Sequence, residues 1–178
     1  MKISAPTPKP PQAHSPAALE REALWHFITA LYSQDGVKGD CLTLQDTYGC
    51  DVVLLLFLIW LDRTAASTRL SLDAASQVAE RAQAPIRQHR TERRAAKSGD
   101  PERYAALLKA ELEMEKAELF SLLSAHRTAR KSVGHEDGSE AAEAAEAALG
   151  TAYFARAYAA KLGFTLPKWA ETEWPDTE

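Results

Sequence analysis

The sequence predicts an all-α fold in which five or six helices form a bundle around a buried central helix over residues 52–63. Apolar residues recur at helical spacing along most of the chain, and no segment shows the alternating pattern of a half-buried strand. The longest apolar run extends from Val52 to Leu61, about half of the length that a membrane span needs. Because this run is apolar around its whole circumference, we expect it to be buried among other helices.

Composition divides the chain into three parts. Residues 1–15 hold four prolines and little to bury, which predicts a disordered tail. A single helical domain is expected over 16–163, since 46% of the chain is hydrophobic and can supply a core. Residues 164–178 are predicted to form a C-terminal tail that is partly docked through its aromatic side chains, with a loose end.

Capping residues and helix breakers set the bounds of the first helices. Ser15 and Pro16 have the residue types of an N-cap and a first helical position, and Gly36 is expected to end that helix. A second helix is predicted over residues 37–48, ended by Gly49. Asp51 is then well placed to cap the central helix.

Two long helices and an alanine-rich helix should follow. The first is predicted to begin at Ser71 or Asp73 and to run toward Lys97, with Pro85 kinking or splitting it. A turn over residues 98–101 leads into a helix from 102 to about 130. Its core-facing residues are predicted to be Tyr104, Leu108, Leu112, Leu119, Leu122 and Leu123. The alanine-rich helix is expected over 139–161.

The strongest charge signal is a run of basic residues within a chain of net charge −4. On a helix, the spacing places four of them on one face, here called the basic stripe: Arg87, Arg90, Arg94 and Lys97. Three interpretations are open: pairing with Glu111, Glu113, Glu115 or Glu118 of the next helix, binding of an acidic protein or ligand, or contact with nucleic-acid phosphates. The first is favoured, since a short turn makes the two helices antiparallel neighbours. Nucleic acid is disfavoured, since the chain is acidic and no aromatics interleave with the stripe.

A second set of polar residues could line a pocket near the central helix: Trp25, Gln45, Asp46, Asp51 and Arg87. The simpler interpretation is that Asp51 is an N-cap and that Gln45 satisfies a backbone group. No phosphate loop, metalloprotease motif or nucleophile elbow is present, so no catalytic residue, metal or cofactor is predicted. Cys41 and Cys50 are expected to be buried or loop thiols instead of a disulfide.

One part of the chain is similar to a known family. The similarity rests on residues in the first three predicted helices and the turns between them: Leu24-Trp25-His26-Phe27, Gly36-Val37, Cys41-Leu42, Leu44-Gln45-Asp46, Gly49, Asp51-Val52, Leu54-Leu55-Leu56-Phe57-Leu58 and Trp60. This pattern resembles an uncharacterised proteobacterial family that carries a domain-of-unknown-function label. The resemblance implies a helical cytoplasmic bacterial protein. It also implies a candidate partner, a soluble ATP-binding cassette protein encoded nearby.

The leading functional prediction is a non-enzymatic adaptor that binds a protein partner through Arg87, Arg90 and Arg94. The alternative is a small enzyme or ligand-binding protein that uses the pocket near Gln45, Asp46, Asp51 and Arg87. A weaker alternative is an RNA- or ribosome-associated factor. No membrane association is expected, since no apolar run is long enough to span a bilayer and no signal peptide is recognisable.

Overall fold

The structure, a computed structural model, describes residues 15–64, 70–131 and 153–171. These residues form an all-α fold, as predicted, and contain no strand. The described ranges hold seven helices, two of them short: α1 (Pro16–Tyr32), α2 (Val37–Tyr48), α3 (Val52–Arg63), α4 (Leu72–Ala96), α5 (Pro101–Lys131), α6 (Tyr153–Leu162) and α7 (Lys168–Glu171). None of them is long and apolar enough to cross a membrane.

Helix α3 is the centre of the bundle, as its apolar sequence predicted. Every residue from Leu54 to Leu61 is buried, and α3 contacts α1, α2, α4, α5 and α6. A helix that is apolar on all sides can be stabilised only when other helices cover every face. The remaining helices therefore take their positions around α3.

Three of the predicted helix ends are found in the structure, at Ser15, Gly49 and Asp51. Ser15 Oγ accepts from the N–H of Ala18 at 3.3 Å, and Asp51 Oδ1 accepts from the N–H of Leu54 at 3.2 Å. Gly49 ends α2 with a φ of 64°, a conformation in which glycine carries no side-chain penalty. The prediction for Gly36 was wrong: α1 ends at Tyr32, and Gly36 stands before α2 with a φ of 84°.

Helix α4 runs unbroken through Pro85, so the predicted split does not occur. Proline removes the hydrogen bond that its own N–H would donate to the carbonyl four residues earlier. Both Pro85 and Arg81, which carries that carbonyl, are exposed. Water can therefore satisfy the freed carbonyl, and the helix continues.

Helices α4 and α5 are antiparallel neighbours, joined by the predicted turn. Asp100 Oδ1 accepts from the N–H of Arg103 at 2.9 Å and so begins α5. The predicted inward face of α5 was wrong at two positions, since Leu108 and Leu112 are 48% and 47% exposed. Glu111 and Glu118 are buried in their place, because α4 offers polar partners along this part of the contact.

The C-terminal part of the domain closes over α2 and α3. Asp62 accepts from the backbone N–H groups of Phe154 and Ala155, each at 2.9 Å, and thereby caps the start of α6. Phe164 is buried against Tyr48, and Trp169 Nε1 donates to Asp40 at 2.9 Å. Residues 164–171 thus pack against the helical domain through these two aromatic side chains. The predictions for 1–14, 139–152 and 172–178 fall outside the described residues.

Candidate functional site

Arg90 lies at the centre of a buried ion network between α4 and α5. Its Nε donates to Glu111 at 2.9 Å and its Nη2 donates to Glu115 at 2.6 Å. The side chains of Arg90 and Glu111 are only 13% and 8% exposed. Although burial lowers the pKa of Arg90, the hydrogen bonds that it donates to the two carboxylates raise the pKa above its ordinary value. Arg90 is therefore held inside the protein, as the first interpretation of the basic stripe proposed.

Arg93 extends this network, although it does not belong to the basic stripe. Its Nε donates to Glu111, and its guanidinium lies 5.9 Å from the ring centroid of Tyr104. One turn away, a ring nitrogen of His89 lies 2.9 Å from the carbonyl oxygen of Leu107. The signal that could have found Arg93 is its position three residues after Arg90, which places both on the inner face of α4.

Arg94 and Arg87 remain at the surface. Arg94 Nη2 lies 3.5 Å from Oδ1 of Asp46, and the two side chains are 64% and 66% exposed. The structure thus brings together Asp46 and Arg94, which the sequence assigned to two different sites. Arg87 is exposed as well. The basic stripe is therefore divided into one internal arginine and two accessible ones.

Trp25 lies in different surroundings from the other residues of the predicted pocket. Its ring is covered by the ammonium of Lys116, which lies 4.8 Å from the ring centroid. Trp25 also borders a shallow groove of about 350 Å³ between α1 and α5, lined by Ser15, Ala17, Ala18, Arg21, Glu22, Lys116 and Phe120. Asp46 is exposed on α2, Gln45 is half-buried there, and neither lines this groove.

Asp51 caps α3 as the simpler interpretation proposed, and it also faces a buried acid that sequence reasoning missed. Glu118 is 1% exposed, and its Oε2 accepts from Nε2 of Gln83 at 3.0 Å. Burial first, and then the nearby Asp51, raise the pKa of Glu118 to about 9. The available signal was the spacing of Glu111, Glu115 and Glu118, which matches one inward helix face as well as leucines would.

Tyr158 and Cys50 complete the polar contacts at the start of α3. The N–H of Asp51 donates to the hydroxyl of Tyr158 at 3.0 Å, which ties α6 to α3. Both cysteines are free and buried, as expected. Burial raises the pKa of Cys41 and of Cys50 to about 12. Thiols that stay protonated at neutral pH are poor nucleophiles, so packing is the role that the geometry gives them.

The chemistry that this arrangement offers is the binding of anions by guanidinium groups. Within the described residues, no group of three or more histidine, cysteine or acidic side chains could hold a metal ion. Arginine forks bind carboxylates in two-point geometry, and Arg93 does so inside the protein, since its Nε and Nη2 both donate to Glu111. Arg87 and Arg94 present the same chemistry to solvent.

Comparison with known proteins gives one match. No curated protein and no solved structure matches the chain. A family described as protein of unknown function DUF2390 matches residues 23–122. This span includes most of α1, all of α2, α3 and α4, and α5 as far as Leu122. It contains Asp51, Glu118 and the whole Arg90 network. The chain therefore belongs to the DUF2390 family.

Proposed function

We propose that this protein is a helical adaptor that binds an acidic partner protein through Arg87 and Arg94 on the outer face of α4. The class of function is the one predicted from the sequence, but the binding surface now has two arginines instead of three. Arg90 is omitted, because its guanidinium is already bound to Glu111 and Glu115. Its ion pairs hold α4 against α5 and so keep the binding surface in place.

The observation that carries the proposal is the contact between Arg94 and Asp46. At 3.5 Å, and with both side chains about two-thirds exposed, this ion pair contributes only about 0–1 kcal/mol to stability. A carboxylate of a partner can therefore replace Asp46 at little cost. The contact with Asp46 indicates that the exposed guanidinium of Arg94 binds a carboxylate.

The geometry of α4 suits recognition of two acidic groups at once. Arg87 and Arg94 are seven residues apart, so they lie on nearly the same face of the helix at an axial separation of about 10 Å. Two carboxylates seven residues apart on a partner helix would match this spacing. The ion network of Arg90 and Arg93 fixes α4 against α5, which limits the entropy lost on binding.

The experiment is an affinity pull-down from the native cytoplasm with the full chain as bait, read by mass spectrometry. It is performed at low and moderate salt, with and without nuclease. The test variant is R87E/R94E, and the matched control is R81E/R103E, which makes the same change in net charge at two other exposed arginines. A soluble ATP-binding cassette protein is the first partner to look for.

We expect the wild type and R81E/R103E to recover one protein in stoichiometric amount, with or without nuclease, and R87E/R94E to lose it. All three baits should have the same helical circular-dichroism signal. An empty pull-down from folded wild type would overturn the proposal, as would equal recovery by R87E/R94E. Recovery that disappears with nuclease would favour an RNA-associated role instead.

A further inference from the structure

A half-buried carboxyl group, that of Asp51, and a buried one, that of Glu118, lie together where α3 begins. One oxygen of each already accepts a hydrogen bond: Oδ1 of Asp51 from the N–H of Leu54, and Oε2 of Glu118 from Gln83. The other two oxygens, Oδ2 of Asp51 and Oε1 of Glu118, are buried, and no donor among the described residues reaches them. Asp51 acts on Glu118 both through its charge and through a side-chain hydrogen bond.

Two ionised carboxylates cannot satisfy this arrangement, because both are acceptors only. A buried polar atom without a partner costs free energy, and two adjacent negative charges in a low-dielectric interior repel each other. One proton removes both costs, since it turns one oxygen into a donor toward the other. We infer that Asp51 and Glu118 share one proton in the native state, which makes the start of α3 a proton-binding site.

The geometry also indicates which residue carries the proton. Asp51 lies at the N-terminus of α3, where the backbone N–H groups and the helix dipole stabilise negative charge. Glu118 is 1% exposed and has a neutral amide, Gln83, as its other partner. Glu118 is therefore the neutral acid that carries the proton, and Oδ2 of Asp51 accepts its hydrogen bond. Burial and the charge of Asp51 raise the pKa of Glu118, which agrees with this assignment.

The surrounding charges do not neutralise Glu118. The hydrogen bonds of Arg90 go to Glu111 and Glu115, not to Glu118. Glu115, one turn away on α5, adds further negative charge beside Glu118. The other titratable groups that act on the pair are Cys50, directly before α3, and Tyr158 on α6.

The site makes stability depend on pH in a defined direction. The pKa of Glu118 is raised from 4.5 to about 9 in the folded chain, so between these values the native state binds one more proton than the unfolded state. The contribution of Glu118 to the free energy of unfolding is thus greatest near pH 4.5, and it falls as the pH rises toward about 9. Replacing Glu118 by a residue that cannot titrate should remove this contribution.

The test compares E118Q with E115Q. The amide of E118Q can donate to Oδ2 of Asp51 and accept from Gln83, so it reproduces the neutral acid. We expect E118Q to melt near the wild-type temperature at about pH 5.5, and to melt several degrees above it at about pH 8. The matched control E115Q removes an ionised partner of Arg90, and it should lower the melting temperature at both pH values. The buried thiols contribute equally in all three proteins.

Infrared difference spectroscopy of the wild type provides a measurement that does not depend on a variant folding. At neutral pH, the native protein should show the C=O stretching band of a protonated carboxylic acid, which E118Q should lack and E115Q should retain. The inference is overturned if wild type shows no such band at neutral pH. It is also overturned if E118Q keeps the wild-type pH dependence of melting.

Discussion

Nε of Arg90 donates to Oε1 of Glu111 across 2.9 Å, and both side chains are almost completely withdrawn from solvent. This pair joins α4 to α5 in the part of their contact where the sequence suggested leucines. It divides the basic stripe into internal and exposed residues, because an arginine already bound to two carboxylates, Glu111 and Glu115, is not available to a ligand. The structural and the binding roles of the stripe therefore fall on different residues.

Replacing Arg90 should destabilise the fold strongly. R90M leaves Glu115 without its arginine partner and leaves Glu111 with Arg93 alone, and breaking a buried ion pair costs about 3–5 kcal/mol. R94M removes an exposed pair and should cost about 0–1 kcal/mol. Urea denaturation of both variants measures the difference. Equal midpoints for R90M and R94M would show that the network does not contribute to stability.

For two adjacent residues of α5, replacing the polar one should destabilise the fold more than replacing the apolar one. E111A leaves Arg90 and Arg93 facing a buried gap and should destabilise by about 2–4 kcal/mol. L112S changes a side chain that is 47% exposed, and it should alter stability by no more than about 0.5 kcal/mol. Thermal melts of the two variants test the observed orientation of α5. A larger loss of stability in L112S than in E111A would contradict the observed orientation of α5 and support the one that the leucine pattern predicted.

Asp62 should be needed to hold α6 in place. Its carboxylate accepts from two backbone N–H groups at the start of that helix, so D62A should cost about 1–2 kcal/mol. Hydrogen exchange of the Phe154 and Ala155 amides should accelerate in parallel. D73A is the control, because Asp73 forms an ion pair with Lys161 on the surface, where its side chain is 83% exposed. Unchanged exchange at the two amides in D62A would contradict the cap.

Both thiols should resist modification in the native state. Burial raises the pKa of Cys41 and of Cys50 to about 12, so at about pH 8 neither is ionised to a useful extent. We expect an aromatic disulfide reagent to react very slowly with the folded chain and with both thiols at once in denaturant. Rapid modification of one thiol in the folded chain would instead indicate an accessible, reactive cysteine.

The sequence predicted the first three helices well because their ends depend on local chemistry. Ser15, Gly49 and Asp51 act through bonds to residues three to five positions away, and such signals can be read without knowing the fold. The apolar circumference of α3 likewise determined its burial. The predicted inward face of α5 failed at Leu108 and Leu112 because that face depends on α4, where arginines and Gln83 turn the contact polar.

The candidate site could be predicted only in part for the same reason. Helical spacing placed Arg87, Arg90 and Arg94 on one face, but it could not show how far α5 covers that face. The contact of Asp46 with Arg94 joins residues 48 positions apart, and no local pattern indicates it. The residues of the Asp51–Glu118 pair are even more remote in sequence, although the inward spacing of the glutamates on α5 was visible.

The division of the basic stripe is tested most directly by two single variants, each measured for melting temperature and for recovery of the partner in the pull-down. R90Q should melt several degrees lower than the wild type, and R94Q should melt with the wild type but recover much less of the partner. A melting temperature that R94Q lowers as much as R90Q does would contradict this division of roles. Recovery of the partner by R94Q as fully as by the wild type would contradict it too.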